Sequence, residues 1–351
     1  MRALVIRAFR EPPELEDVPE PELPPDAALV EVRATGLCRS DWHGWMGHDA
    51  SIRLPHVPGH EFAGVVAEVG PEVRGISPGD RVTAPFCCGC GACEPCRLGQ
   101  TQICERDYQP GFTGWGSFAE RVLIPVADLN CVPLPDGLAF EAAAALGCRF
   151  MTAFAAVGER GKVRAGDWLA VHGCGGVGLS AVMLGRALGA RVVAVDVAPG
   201  PLARAAELGA DETLDGREHD VATSIRELTG GGAHVSIDAI GSAATAAASV
   251  RSLRRRGRHV QVGLLAGDER ESRIPMAELI SRELEIAGVH GMPVRDYPAL
   301  LRLIASDAVD PARLIGSRIT LEQAGAALAA MDRPAEGITV IAAPSGDQMR
   351  G

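Results

Sequence analysis

Apolar residues follow two different rhythms along this chain. In the first part they come in short runs broken by proline, glycine and acidic residues. Residues 27–34 and 63–69 read as strands, and the turn Ser77-Pro78-Gly79-Asp80 leads into another at Arg81-Val82-Thr83. Short strands punctuated in this way predict a β-rich first domain. Within it, residues 138–146 carry Glu141 and a run of alanines, which favours a helix.

Near residue 150 strand and helix patterns begin to alternate. Residues 168–172 form a buried-strand run, 177–188 a helix ended by Gly189, 191–196 a strand, and 202–208 a helix that stops at Gly209. Residues 235–238, 259–263 and 285–289 continue the strand series. This alternation predicts a doubly wound α/β domain, a parallel sheet covered by helices on both faces. Residues 300–305 and 321–331 read as late helices. The strand-like piece 338–342 has no evident partner in that series and is expected to return to the first domain. The expected division is a β-rich domain over residues 1–149 and 292–351 and an α/β domain over 150–291.

The length of 351 residues suits about two domains. A net charge of −11 works against a phosphate backbone, so nucleic acid is not an expected partner. The one basic cluster, Arg254, Arg255 and Arg256, reads as a solvated helix end or turn. No run of about 18 uncharged apolar residues is present, so no membrane span is expected. The N-terminal residues lack the apolar stretch and cleavage site of a signal peptide, and a cytoplasmic location is expected. In that compartment ten cysteines point to metal or catalytic roles ahead of disulfides.

Gly173-Cys174-Gly175-Gly176-Val177-Gly178 follows a predicted strand and opens a predicted helix, with G-x-G-x-x-G spacing. The glycines allow a tight turn, close approach of backbone to a pyrophosphate, and close helix packing, while the helix N-terminus offers free N–H groups. Asp196 ends the next strand, where a carboxylate accepts from ribose hydroxyls and repels an added phosphate. The expected cofactor is therefore NAD ahead of NADP.

Cys90, Cys93, Cys96 and Cys104 stand close enough for one loop to fold four thiolates around a tetrahedral ion. A structural zinc is expected. The rival is an iron–sulfur cluster, whose bacterial spacing closes with a shorter last gap and a proline, whereas Glu105 follows here. Cys87 and Cys88 lie off this register and read as spare thiols.

A second set of donors is scattered. Cys38-Arg39-Ser40-Asp41-Trp42-His43 precedes Gly59-His60-Glu61, and Cys148 lies just before the α/β half. Two thiolates and an imidazole make a zinc site with one open position. With Gly64, Gly70 and Val73 in place after Gly59-His60-Glu61, and Arg149 to Thr152 following Cys148, the chain resembles the medium-chain, zinc-containing alcohol dehydrogenases over essentially its whole length.

The resemblance implies a GroES-like β-rich catalytic domain, completed by the C-terminal segment, and a Rossmann domain. It implies that Cys38, His60 and Cys148 hold a catalytic zinc, with Glu61 beside it and Asp41 orienting the histidine. Arg39 corresponds to a pyrophosphate contact, Thr152 packs by the nicotinamide, and Val262-Gly263 border it. Ser40 and His43 resemble a proton relay that runs through the cofactor ribose. Trp42, Phe86, Phe112 and Trp115 are candidate pocket walls, from their proximity to the motifs. The implied reaction is reversible oxidation of an alcohol to an aldehyde or ketone with hydride transfer to NAD, by a homo-oligomer, dimer or tetramer. Polyol and threonine dehydrogenases share the architecture, and a catalytically silent NAD-binding sensor is the reading from outside enzymology. Two departures stand out: Val197-Ala198-Pro199-Gly200-Pro201 lacks the lysine that often follows the ribose-binding acid, and Gly337-Ile338-Thr339 lacks an arginine often found near the last strand.

Overall fold

The computed structural model describes residues 1–217, 220–265, 269–332 and 337–342. The expected first domain includes residues 333–336 and 343–351, which lie outside the described residues.

The chain opens with strands β1 (Arg2–Val5), β2 (Glu14–Asp17) and β3 (Ala28–Leu37), then helix α1 (Arg39–Trp45). Strands β4 (Phe62–Val69) and β5 (Arg81–Thr83) follow, then α2 (Glu94–Arg97), β6 (Arg121–Ile124), α3 (Ala127–Asn130), β7 (Val132–Pro133) and α4 (Phe140–Ala144). Next come α5 (Met151–Ala155), β8 (Trp168–His172), α6 (Gly176–Ala187), β9 (Arg191–Asp196), α7 (Pro199–Glu207), β10 (Glu212–Asp215) and α8 (Val221–Thr229). Strand β11 (Ala233–Asp238), α9 (Ala243–Arg251), β12 (Leu253–Gln261), α10 (Met276–Ser281) and β13 (Glu285–Gly288) close this stretch. The end of the chain supplies α11 (Tyr297–Ala305), β14 (Ile315–Ile319), α12 (Leu321–Ala329) and β15 (Ile338–Ala342).

Two compact units result. One comprises Met1–Cys148, Gly291–Ala305 and the described residues from Asp310 onward; the other comprises the described residues of Arg149–His290 and Ser306–Val309. In the first, a sheet runs β14-β15-β3-β4-β5-β7, with β6 also paired to β3. The last strand does return to this unit: β15 pairs antiparallel with β3, Val340 opposite Gly36. Alternation along β3 and β4 places Val30, Val32, Phe62 and Val66 in one buried cluster with Val82, Val122 and Ile124. Each such side chain contributes roughly 1.5–3 kcal/mol by leaving water. Strand β3 ends just before Cys38, and this packing fixes where that thiol stands.

The second unit is a six-stranded sheet, order β10-β9-β8-β11-β12-β13, with every pairing parallel. Strand order reverses between β8 and β11, the switch point outside whose carboxyl ends α/β sheets bind ligands. The glycine loop leaves β8 at that point. Helix α7 starts at Pro199, three residues ahead of the expected 202, because proline presets the first-turn dihedral and needs no N–H there. The arginine cluster is also corrected. Arg254, Arg255 and Arg256 belong to β12, where Leu253 pairs with Ala233 but Arg258 already pairs with Val235. The extra residues bulge out, so the three side chains are solvated without ending a helix.

Candidate active site and metal centres

Helix α1 begins immediately after β3, with Cys38 as its N-cap. The N3 residue, Asp41, reaches back so that one carboxylate oxygen, Oδ2, accepts from the Cys38 N–H at 2.9 Å. Its other oxygen, Oδ1, accepts from the Gly59 N–H at 3.0 Å and from Nδ1 of His60 at 2.9 Å. One buried carboxylate thus ties two distant segments together and fixes the tautomer of His60. The remaining ring nitrogen, Nε2, is sealed from solvent and no hydrogen bond satisfies it.

The donor atoms of Cys38, His60, Glu61 and Cys148 lie within 4.8 Å of one another. Cys148 reaches this group from a π-type turn, Leu146–Phe150, whose backbone breaks at Gly147 (φ −48°, ψ −146°). A Cβ on Gly147 would come within 2.6 Å of Glu61 Cγ and 2.8 Å of its Cα, so only glycine lets the two segments approach this closely. Burial disfavours a proton on His60, yet Asp41 and Cys38 outweigh it and hold its pKa well above the usual value. The pocket therefore calls for positive charge beside Nε2. An orphaned imidazole nitrogen facing soft thiol donors and a carboxylate fits a divalent cation.

Around this group, the rings of Phe112 and Phe86 stand edge-on to His60, at 5.2 and 6.2 Å between centroids. Both are buried. Trp42 instead packs beside His43 and His48 with the Arg39 guanidinium stacked over it at 4.2 Å. Arg39 also donates to the Met331 carbonyl. Trp115 packs on a cluster of Ala3, Val5, Val57 and Ala119, and its indole N–H donates to the Pro55 carbonyl at 3.3 Å. The structure thus brings two of the four aromatic candidates to the donor group, and leaves Trp42 on α1 and Trp115 in a separate cluster.

The sulfurs of Cys90, Cys93, Cys96 and Cys104 form the second donor group. Cys93 caps the short α2, which carries Cys96, and Cys104 follows a single 3₁₀ turn, Thr101–Ile103. The backbone amides of Ala92 and Cys93 pull the Cys90 thiol down to about 6, whereas desolvation first, then Cys93, pushes Cys96 up to about 12. All four sulfurs could be thiolates this close together only with a cation among them. Arg106, which sequence reasoning missed, donates its N–H to Cys104 at 3.3 Å and its guanidinium to Cys90 at 3.4 Å. Cys87 and Cys88 are buried outside the group.

In the second unit, Gly175 is the N-cap of α6 and offers no side chain to cap it. A Cβ there would meet nothing within 4 Å, so the space above the helix N-terminus is open. Asp196 Oδ2 accepts from the Cys174 N–H at 2.7 Å, and Oδ1 accepts from the N–H groups of Val197 and Ala198 at 2.7 and 3.0 Å. Three of roughly four acceptor sites on that carboxylate are thus used to hold the glycine loop and its own turn. The N–H groups of Val262 and Gly263 both donate to the Asp238 carbonyl. The Asp238 side chain in turn accepts from Ile240, Gly241, Thr245 and Gln261, an anchor not expected from the sequence.

Known proteins extend this geometry. Residues 24–136 match the family model of the alcohol dehydrogenase GroES-like domain, and residues 176–306 that of the zinc-binding dehydrogenases. An alcohol dehydrogenase of Geobacillus stearothermophilus is 36% identical over 290 residues, covering 82% of this chain and 84% of its own. An alcohol dehydrogenase from Thermus sp. ATN1 superposes with a TM-score of 0.91 at 32% identity, covering 97% of this chain and 99% of its own. A zinc-binding dehydrogenase from Sinorhizobium meliloti 1021, solved bound to NADP, has a TM-score of 0.89 at 30% identity, with 97% and 98% covered. The chain belongs to the zinc-containing medium-chain alcohol dehydrogenase family, whose members are oxidoreductases acting on alcohols.

Proposed function

We propose that this protein is a zinc-dependent alcohol dehydrogenase that takes a hydride from an alcohol carbon to NAD, and runs in reverse on an aldehyde or ketone. The observation that carries the reading is the buried His60 Nε2, without a hydrogen bond, among Cys38, Cys148 and Glu61.

In this reading Cys38, His60 and Cys148 hold one zinc, with the Glu61 carboxylate beside it as an alternative donor. Cys90, Cys93, Cys96 and Cys104 hold a second. The catalytic zinc supplies Lewis-acid charge that favours loss of the alcohol proton, and the nicotinamide supplies the hydride acceptor. The chain's own residues do the rest. Asp41 keeps His60 in the tautomer that offers Nε2. Phe86 and Phe112 place apolar rings near His60, which favours apolar or aromatic alcohols over sugars. Ser40 and His43, on the same helix, hold and move the released proton. The glycine loop, Arg39, Thr152 and Val262-Gly263 hold the cofactor, and Asp196 accepts from the ribose and disfavours the extra phosphate of NADP.

Among the described residues no helix is long and apolar enough to cross a membrane. The cytoplasmic location expected from the sequence is part of this proposal. The edge strand β13 and the neighbouring helix α10 leave Ile286, Met276 and Ile280 exposed, a face suited to a second copy in a homo-oligomer. The test is a panel of primary, secondary and aromatic alcohols followed by NADH absorbance and repeated with NADP. NAD-linked turnover of an apolar alcohol, abolished by a zinc chelator, is expected. No turnover of any alcohol with either cofactor contradicts the proposal.

A further inference from the structure

Helix α1 ends in a manner that produces an arrangement outside the donor group. Gly47 takes a left-handed conformation (φ +78°), and its N–H donates to the Gly44 carbonyl at 3.0 Å. The His48 N–H then donates to the His43 carbonyl, also at 3.0 Å. These two bonds define a Schellman stop, which normally brings together apolar side chains from the third-last helical residue and the second residue past the cap. Here both positions are histidines. Their Nδ1 atoms lie 3.0 Å apart, and the ring centroids 5.3 Å. Trp42 packs edge-on to both rings, at 5.1 and 5.8 Å, so neither is loosely placed. His43 is half-buried and His48 is exposed.

Two imidazole nitrogens at hydrogen-bond distance share one proton: one donates and the other accepts. The geometry points to His48 as a positioning residue for the released proton, its Nδ1 accepting from Nδ1–H of His43 and leaving His43 Nε2 bare to receive. The inference rests on the reading of Ser40 and His43 as the proton path. A proton arriving at His43 Nε2 makes that ring an imidazolium. Its Nδ1 proton passes to His48 Nδ1, and His48 releases one from Nε2 to water. One proton enters, one leaves, and both rings end neutral; tautomer exchange with solvent restores the starting arrangement.

The surroundings of His43 disfavour a proton retained there. Burial, then His48 and Arg39, hold the His43 pKa below its usual value, with only Cys38 acting in the other direction. Asp49, beside His48, is engaged by the Ser51 N–H and hydroxyl. Glu322 on α12, the helix packed against α1, is paired with Arg2.

The test compares the parent with H48A, H48N and H43A, measuring kcat and KM for alcohol oxidation across pH. The amide introduced by H48N can accept a hydrogen bond but cannot carry a proton onward. Both His48 variants are expected to lose about threefold to tenfold in kcat below neutral pH, with KM for the alcohol unchanged. That is less than the ~10²-fold or more of a positioned general base, because water substitutes in part. Added imidazole should restore H48A. Nitrogen-15 spectra of the full-length protein should show His43 as the Nδ1–H tautomer, and a mixture in H48A. If H48N matches the parent at every pH, or His43 keeps its tautomer in H48A, the role of His48 is overturned while the relay stands. If H43A also matches the parent, it is the underlying relay that fails.

Discussion

Nδ1 of His60 lies 2.9 Å from Oδ1 of Asp41, with both side chains sealed from solvent. The same carboxylate accepts from the backbone of Cys38 and of Gly59. Orientation of the donor nitrogen and the relative placement of two donor segments therefore depend on one residue. Replacing Asp41 by Asn keeps the size but weakens acceptance from all three donors. The expected result is a loss of metal affinity of about 10–100-fold, the usual cost of removing such a partner. Competition with a chromogenic chelator measures it, and an affinity equal to the parent's would remove Asp41 from the account.

The buried cluster inside the four-cysteine loop is made of the cysteines themselves. Ser in place of Cys104 should release one metal per chain and lower the melting temperature, while the group built on Cys38 stays loaded. Elemental analysis together with thermal unfolding gives the answer. A Cys104→Ser protein that keeps the parent's metal count would mean that the loop closes by other means.

Protons on buried histidines set a pH dependence of stability. Burial depresses His172 to about 4 and also lowers His56 and His259, against an ordinary value of 6.5. Below pH 6.5 the unfolded chain takes up protons that the fold refuses. The stabilising contribution is therefore complete above 6.5 and is lost as pH falls toward 4. For His172 alone the shift corresponds to on the order of 3 kcal/mol. Urea unfolding at pH 7 and pH 5 should show a marked drop for the parent and a smaller one for His172→Phe. Equal drops would show that His172 titrates normally.

Much of this was legible in the sequence, for reasons that differ by element. The strands β8 and β9 could be read because continuous apolar runs flank glycine turns, and Asp196 because the register of a βαβ unit places it. The two groups of donor atoms could be read because thiols and an imidazole in this order have few other uses. Strand β12 begins at Leu253, six residues ahead of the expected 259; three arginines imitate a solvated end, and only pairing with β11 reveals the bulge. His48, Arg106 and Asp238 were missed because each acts through a contact made by chain reversal or by a neighbouring strand. For His48 a signal existed: Gly47 just past a helix is a stop, and a stop folds the next residue back onto the helix.

Asp196 serves two purposes, holding the glycine loop through the Cys174 N–H and facing the cofactor's ribose in the proposed reading. Asp196→Asn should raise KM for NAD by about tenfold and narrow the preference over NADP, since removing the charge removes the repulsion of the extra phosphate. Steady-state assays with both cofactors check this. An unchanged ratio of kcat/KM values for NAD and NADP would place the discrimination elsewhere.

In the proposed reading Cys38, His60 and Cys148 grip a zinc on which turnover depends. Its most direct test is the metal content and alcohol-oxidation rate of Cys38→Ser beside those of the parent. Two zinc ions per chain are expected in the parent and one in the variant, with turnover down by about a thousandfold or more, as loss of several kcal/mol of charge stabilisation requires. Full turnover in a variant that has lost that zinc would contradict it.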